Sequence, residues 1–115
     1  MEDCIFCKII KKEIPAEIIY EDEEIIAFKD IHPAAPIHIL VIPKKHFSNL
    51  LEVQGKDQNI ISEIYLAINK IAKEQGFAED GFRVIVNCGK DGGQEVGHLH
   101  FHILGGKYLG PKIVH

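Results

Sequence analysis

Apolar residues recur along this chain with a helical period in some stretches and a strand period in others, and the changes of period mark out its elements. In CIFCKIIKK the positions Ile5, Phe6, Ile9 and Ile10 suit a short helix lying on the core, with Pro15 as its stop. EIIYEDEEIIAFKD holds two β-rich runs, Glu17–Tyr20 and Ile25–Phe28, around an acidic turn, which predicts a hairpin. The two prolines of IHPAAPIH make it a loop. HILVIPKK is nearly continuous in apolar residues, as a strand buried on both faces is, and Pro43 ends it. After Asp57, a residue suited to a helix N-cap, Ile60, Ile64, Ala67, Ile68 and Ile71 follow at helical spacing as far as Gly76. This is the long helix, and its apolar stripe is expected to cover a sheet. FRVIVN reads as a fourth strand, and HLHFHIL, His98 to Leu104, as a fifth in which apolar and polar positions alternate. Together these elements predict one α+β domain over 1–115, an antiparallel five-stranded meander with one long helix and a short amino-terminal helix.

Composition narrows the function. At 115 residues, 46% hydrophobic and 26% charged, the chain can bury one core. A net charge of -4 with interspersed signs offers no basic stripe, so nucleic acid is not an expected partner and a small anion must be held by local groups. No apolar run approaches the roughly 18 residues of a membrane span, and MEDCIFCKII lacks the basic segment and apolar core of a secretion signal. The expected location is the cytoplasm, without a membrane partner. Two of the three cysteines lie in CIFC, which in a reducing compartment argues for metal or redox use over a disulfide framework.

The fifth strand carries the chemistry. His98, His100 and His102 share one face while Leu99, Phe101 and Ile103 take the other. A lone histidine in a strand is usually structural; three in a row are not explained that way. Alternate positions lie about 6.6 Å apart along a strand, so the outer two are separated by about 13 Å at the backbone and all three cannot close on one metal ion. Two could converge on zinc. CGKDGGQEVG, just before the row, has glycines at 89, 92, 93 and 97. Such loops are mostly turns, yet they also let several backbone N–H groups meet one anion. A phosphate cradle beside titratable imidazoles is what nucleotidyl transfer requires.

HLHFHIL resembles the motif of the histidine-triad family, and CIFCKIIKKEIPAEIIYED, HILVIPKKH, VNCGKDGGQ and LGG resemble its branch of purine nucleoside phosphoramidases and adenylyl hydrolases. The resemblance implies an antiparallel sheet with flanking helices, paired in a homodimer through a continuous sheet. It also implies attack by a histidine on the α-phosphate of a purine nucleotide conjugate, and hydrolysis of the resulting nucleotidyl-histidine. On this chain the nucleophile falls on His100, the phosphate-contacting histidine on His102 and the histidine supporting the nucleophile on His38. The ribose-holding acid and the apolar residue against the base fall on Asp30 and Ile31, the asparagine closing the fourth strand on Asn87, and the phosphate contacts on Gly93, Gln94 and Glu95. Neutral imidazole can attack phosphorus without a strong base, and a carboxylate can accept two hydrogen bonds from a ribose diol. The plainer alternatives are turn caps for Asp30 and Asn87 and a surface position for His38.

Two departures stand out. Glu95 replaces a serine common in the branch, and a carboxylate there would repel phosphate, so only its backbone N–H is expected to act. The tail KYLGPKIVH lacks the tryptophan with which some members shape substrate choice. CIFC by itself supports zinc or a redox pair. Family members that bind structural zinc through such a pair use histidines that fall on His46 and His98, which implies a Cys4, Cys7, His46, His98 site that stabilises the fold and takes no part in the chemistry. Cys88 reads as a small buried residue. The reading is therefore a phosphoramidase or nucleotidyl hydrolase; its rivals are a nucleotide-binding regulatory module with negligible turnover and a zinc-dependent hydrolase.

Overall fold

The computed structural model describes residues 3–111. In chain order the elements are α1 (Ile5–Ile10), β1 (Ile18–Glu21), β2 (Ile25–Lys29), β3 (Ile37–Pro43), α2 (Gln58–Gln75), β4 (Arg83–Val86) and β5 (Phe101–Gly105). All strand pairs are antiparallel and the sheet has five strands, in the order β1-β2-β3-β5-β4. The α+β class, the five strands and the long helix are as the sequence predicts. A strictly sequential meander would set β4 beside β3; instead β5 lies between them. The reason is directional. α2 carries the chain back across the sheet, so β4 runs parallel to β3, and an all-antiparallel sheet must place another strand between two that run alike.

Each sheet face is closed by a helix. The stripe Ile60, Ile64, Ala67, Ile68, Ile71 and Ala72 of α2 packs on one face with Ala27, Val41, Leu99, Phe101 and Ile103. On the other face Phe6 and Ile9 of α1 meet Ile26, Phe28, Leu40 and Ile42. Each buried isoleucine side chain contributes about 1.5–3 kcal/mol. Residues opposite one another on a ladder share a face, so His102, opposite Leu40, and His38, opposite Leu104, both belong to the α1 side.

Three local details differ from the sequence expectation. α1 stops at Ile10, well before Pro15, because Lys12 takes a left-handed conformation, φ 64°. Asp57 precedes α2, but its carboxylate caps no helix N–H; it pairs with Lys45 at 3.1 Å. Regular pairing of β5 begins at Phe101, so His98 and His100 sit on the segment leading into the strand, where Leu99 N–H donates to Phe47 O at 2.7 Å. The alternation of faces survives.

Candidate active site

The chain holds the three histidines of the row through different ring nitrogens. His98 is fully buried, and its Nε2 lies 2.9 Å from the carbonyl of Pro43. A carbonyl only accepts, so Nε2 carries the proton and Nδ1 the lone pair. His100, 5% exposed, turns the other way: its Nδ1 donates to the backbone carbonyl of His98 at 2.7 Å, leaving the lone pair on Nε2. His102 is governed by His38, whose Nδ1 accepts the N–H of Ala34 at 3.0 Å and whose Nε2–H therefore donates to His102 Nδ1 at 2.9 Å. The proton of neutral His102 is thus on Nε2. Along the row the lone pair alternates: Nδ1, Nε2, Nδ1.

Burial favours the neutral imidazoles. Desolvation, then the neighbouring His100 and His38, holds His102 down to about 4. Desolvation lowers His98 to about 4 as well, against the pull of the Pro43 carbonyl. His38 is lowered mainly by burial, with Asp30 opposing. Phe6 lies edge-on to both inner imidazoles, with ring centroids 5.9 Å from His98 and 5.2 Å from His100.

The lone pair of His98 faces three more donors. Its Nδ1 is 3.3 Å from Cys4 Sγ, 3.6 Å from Cys7 Sγ and 3.1 Å from His46 Nδ1, and Cys7 Sγ is 3.3 Å from His46 Nδ1. All four ligand atoms lie within 4.8 Å of one another. A zinc tetrahedron of two thiolates and two imidazoles has edges of about 3.3–3.8 Å, so the residues fit such an ion. Burial, then the hydrogen bond and charge of Cys4, push the Cys7 thiol upward; a bound dication would reverse that penalty. Asp30, His38 and His102 also bring three donor atoms together. That group is not an open metal site of the same quality, because His38 Nε2 keeps its proton as long as Nδ1 holds Ala34 N–H.

Most of the remaining expected residues have hydrogen-bonding partners within the protein. Asp30 Oδ1 accepts His32 N–H at 2.8 Å, the turn-capping role, while Oδ2 stands 3.5 Å from His38 Nε2. Ile31 beside it is 81% exposed. Asn87 Nδ2 donates to Gly92 O at 2.6 Å and closes the glycine loop. Gln94 is absorbed by the framework: Oε1 accepts Gly89 N–H, and Nε2 donates to Ser48 O and Val96 O. The N–H groups of Gly93 and Gln94 are spent within the loop, on Lys90 O and Gly89 O, each at 3.1 Å. Among the described residues the Glu95 N–H has no protein acceptor, and its side chain is exposed. Cys88 is half-buried rather than buried. Of the tail, residues 112–115 lie outside the described residues, and Arg83 donates to the carbonyls of Leu109 and Gly110.

A family model described as scavenger mRNA decapping enzyme C-term binding matches residues 3–113. A histidine triad protein from Clostridium difficile superposes with a TM-score of 0.95 at 57% identity, over 98% of each chain. The chain belongs to the histidine-triad family. Another histidine-triad structure, a HIT family hydrolase from Clostridium thermocellum, has a TM-score of 0.96 and 54% identity over 99% of each chain. The purine nucleoside phosphoramidase of Escherichia coli is 45% identical over 114 residues, covering 99% of this chain and 96% of that protein. Within the histidine-triad site, sequence reasoning missed Ala34, Pro43 and Ser48, which act through main-chain atoms and so leave no residue signature. It also missed Phe6 as a neighbour of the row, although its place between the two cysteines of CIFC was a usable signal.

Proposed function

We propose that this protein is a nucleotide phosphoramidase or nucleotidyl hydrolase that cleaves purine nucleoside monophosphate conjugates at the α-phosphate. The E. coli relative bears the phosphoramidase name and the C. thermocellum neighbour is a hydrolase by name, which supports the class. The observation that carries the mechanism is the 2.7 Å bond from His100 Nδ1 to His98 O, which leaves Nε2 as an imidazole lone pair. Nε2 attacks the α-phosphorus, the bond from phosphorus to the leaving amine or oxygen breaks, and the leaving group takes a proton from solvent. Water then attacks the nucleotidyl-His100, the P–N bond breaks, and the lone pair returns to Nε2 with release of the nucleoside monophosphate and a proton.

Other groups hold the substrate. His102 Nε2–H donates to the phosphoryl or bridging atom, and His38 keeps it in that tautomer. Asp30 Oδ2 takes the ribose hydroxyls, Ile31 covers the base and Glu95 N–H meets phosphate, while Asn87, Gly93 and Gln94 keep the loop in shape. Cys4, Cys7, His46 and His98 would hold a structural zinc, with every ligand position closed by protein. The protein acts as a homodimer in this reading.

The test is mass spectrometry of enzyme quenched in base during turnover of an adenosine phosphoramidate. One nucleoside monophosphate on His100 is expected. An adduct on another residue, or tight nucleotide binding with no turnover, overturns the proposal.

A further inference from the structure

The cysteine–histidine cluster and the nucleophile are joined at His98 by contacts that a purely stabilising metal site does not need. The ring of His98 is gripped at both nitrogens, by the Pro43 carbonyl and by the cluster. Its own backbone carbonyl receives the Nδ1–H of His100. The end of β3 and the segment after it supply three of the restraints: Pro43 O on the His98 ring, His46 Nδ1 in the cluster, and Phe47 O on the N–H of Leu99. A second route runs through α1, where Phe6 stands between the two cysteines in sequence and edge-on to both His98 and His100.

Without a cation the donor atoms, 3.1–3.6 Å apart, are joined only by thiol–imidazole and imidazole–imidazole hydrogen bonds, which fix position less firmly than metal–ligand bonds do. Slack in the cluster lets α1, the segment after β3 or the His98 ring shift, and each of these touches the support of His100. We infer that occupation of this cluster sets the aim of the nucleophile, with His98 as the positioning residue that transmits it. The inference rests on the reading of His100 as nucleophile and of the cluster as a zinc site. It departs from a site that stabilises without touching chemistry.

The experiment compares zinc-loaded protein with chelator-stripped protein, each checked for zinc content and for a cooperative thermal transition well above the working temperature. Long-range ¹H–¹⁵N histidine spectra report the tautomer of His100 directly. Loaded protein should contain about one zinc per chain and show His100 as a single Nδ1–H tautomer. Stripped protein should show it averaged between tautomers, with kcat lower by at least about tenfold and nucleoside monophosphate affinity within about threefold. His46→Ala removes the half-buried ligand and leaves α1 and His98 in place; it guards against a stripped protein that merely unfolds, and it should give the same spectral change. A metal-dependent His100 tautomer in a protein that turns over no phosphoramidate supports this inference and overturns the proposed function instead. If folded stripped protein, or folded His46→Ala, keeps the His100 tautomer and kcat of the loaded enzyme, or if the protein takes up no zinc, the inference fails.

Discussion

Which nitrogen of an imidazole is engaged decides what that imidazole can do, and His100 differs from both of its neighbours in the row in just that respect. A lone pair on Nε2 of His100 can bond to phosphorus, whereas His102 presents a proton at the same ring position. His100→Ala should therefore lower turnover by at least roughly a thousandfold while nucleotide affinity stays within about tenfold, because the lost bond exists only during the reaction; single-turnover kinetics and calorimetric titration check the two halves. Protonation of the row has a defined sign. The folded protein holds His102 at about 4 against an ordinary 6.5, so between those values the unfolded chain binds the extra proton and folding weakens as the pH falls. Denaturant titrations from pH 7 to 4 should show stability declining through that window. His102→Asn should make the decline shallower without abolishing it, since His98 is depressed over the same range. An unchanged slope would mean that His102 is not buried neutral.

At the scale of elements, what the sequence made legible was what periodicity encodes. The α2 stripe from Ile60 to Ile71 and the split of HLHFHIL into a histidine face and a core face both follow from side-chain repeats, and both are present. Strand order was not legible as a meander, although the direction reversal imposed by α2 was enough to exclude β4 from the place beside β3. Within the site, Cys4, Cys7, His46 and His98 meet as the family resemblance implied, while the phosphate role expected of Gln94 is occupied by framework hydrogen bonds to groups that only the folded loop brings near. The loop itself is tightly wound: a Cβ on Gly92 would lie 2.5 Å from the carbonyl oxygen of Cys88. Gly92→Ala must push that backbone apart and strain the Asn87 bond, which should cost about 1–3 kcal/mol and weaken nucleotide binding more than Ala at the exposed neighbour Asp91 does. Urea unfolding paired with nucleotide titration of the two variants checks this.

Across the whole molecule, among the described residues, no helix is long and apolar enough to cross a membrane. The two sheet edges are unlike. β2 pairs with the short β1 through an irregular register, so that edge is interrupted. β4 closes the other edge with a regular ladder to β5 and is half-buried along its length. A second copy approaching antiparallel would pair β4 with β4 about a two-fold axis, giving one continuous sheet with every new contact made twice. Homodimerisation of this kind would bring two copies of the row into one rigid body, since β5, which carries His102, is the direct neighbour of β4. Sedimentation equilibrium at micromolar concentration should accordingly report twice the 12.9 kDa chain mass. Amide exchange along the outer side of β4 should be slower in the dimer than in a monomer. A 12.9 kDa species with a rapidly exchanging β4 edge would show that the edge stays bare and that each chain works alone.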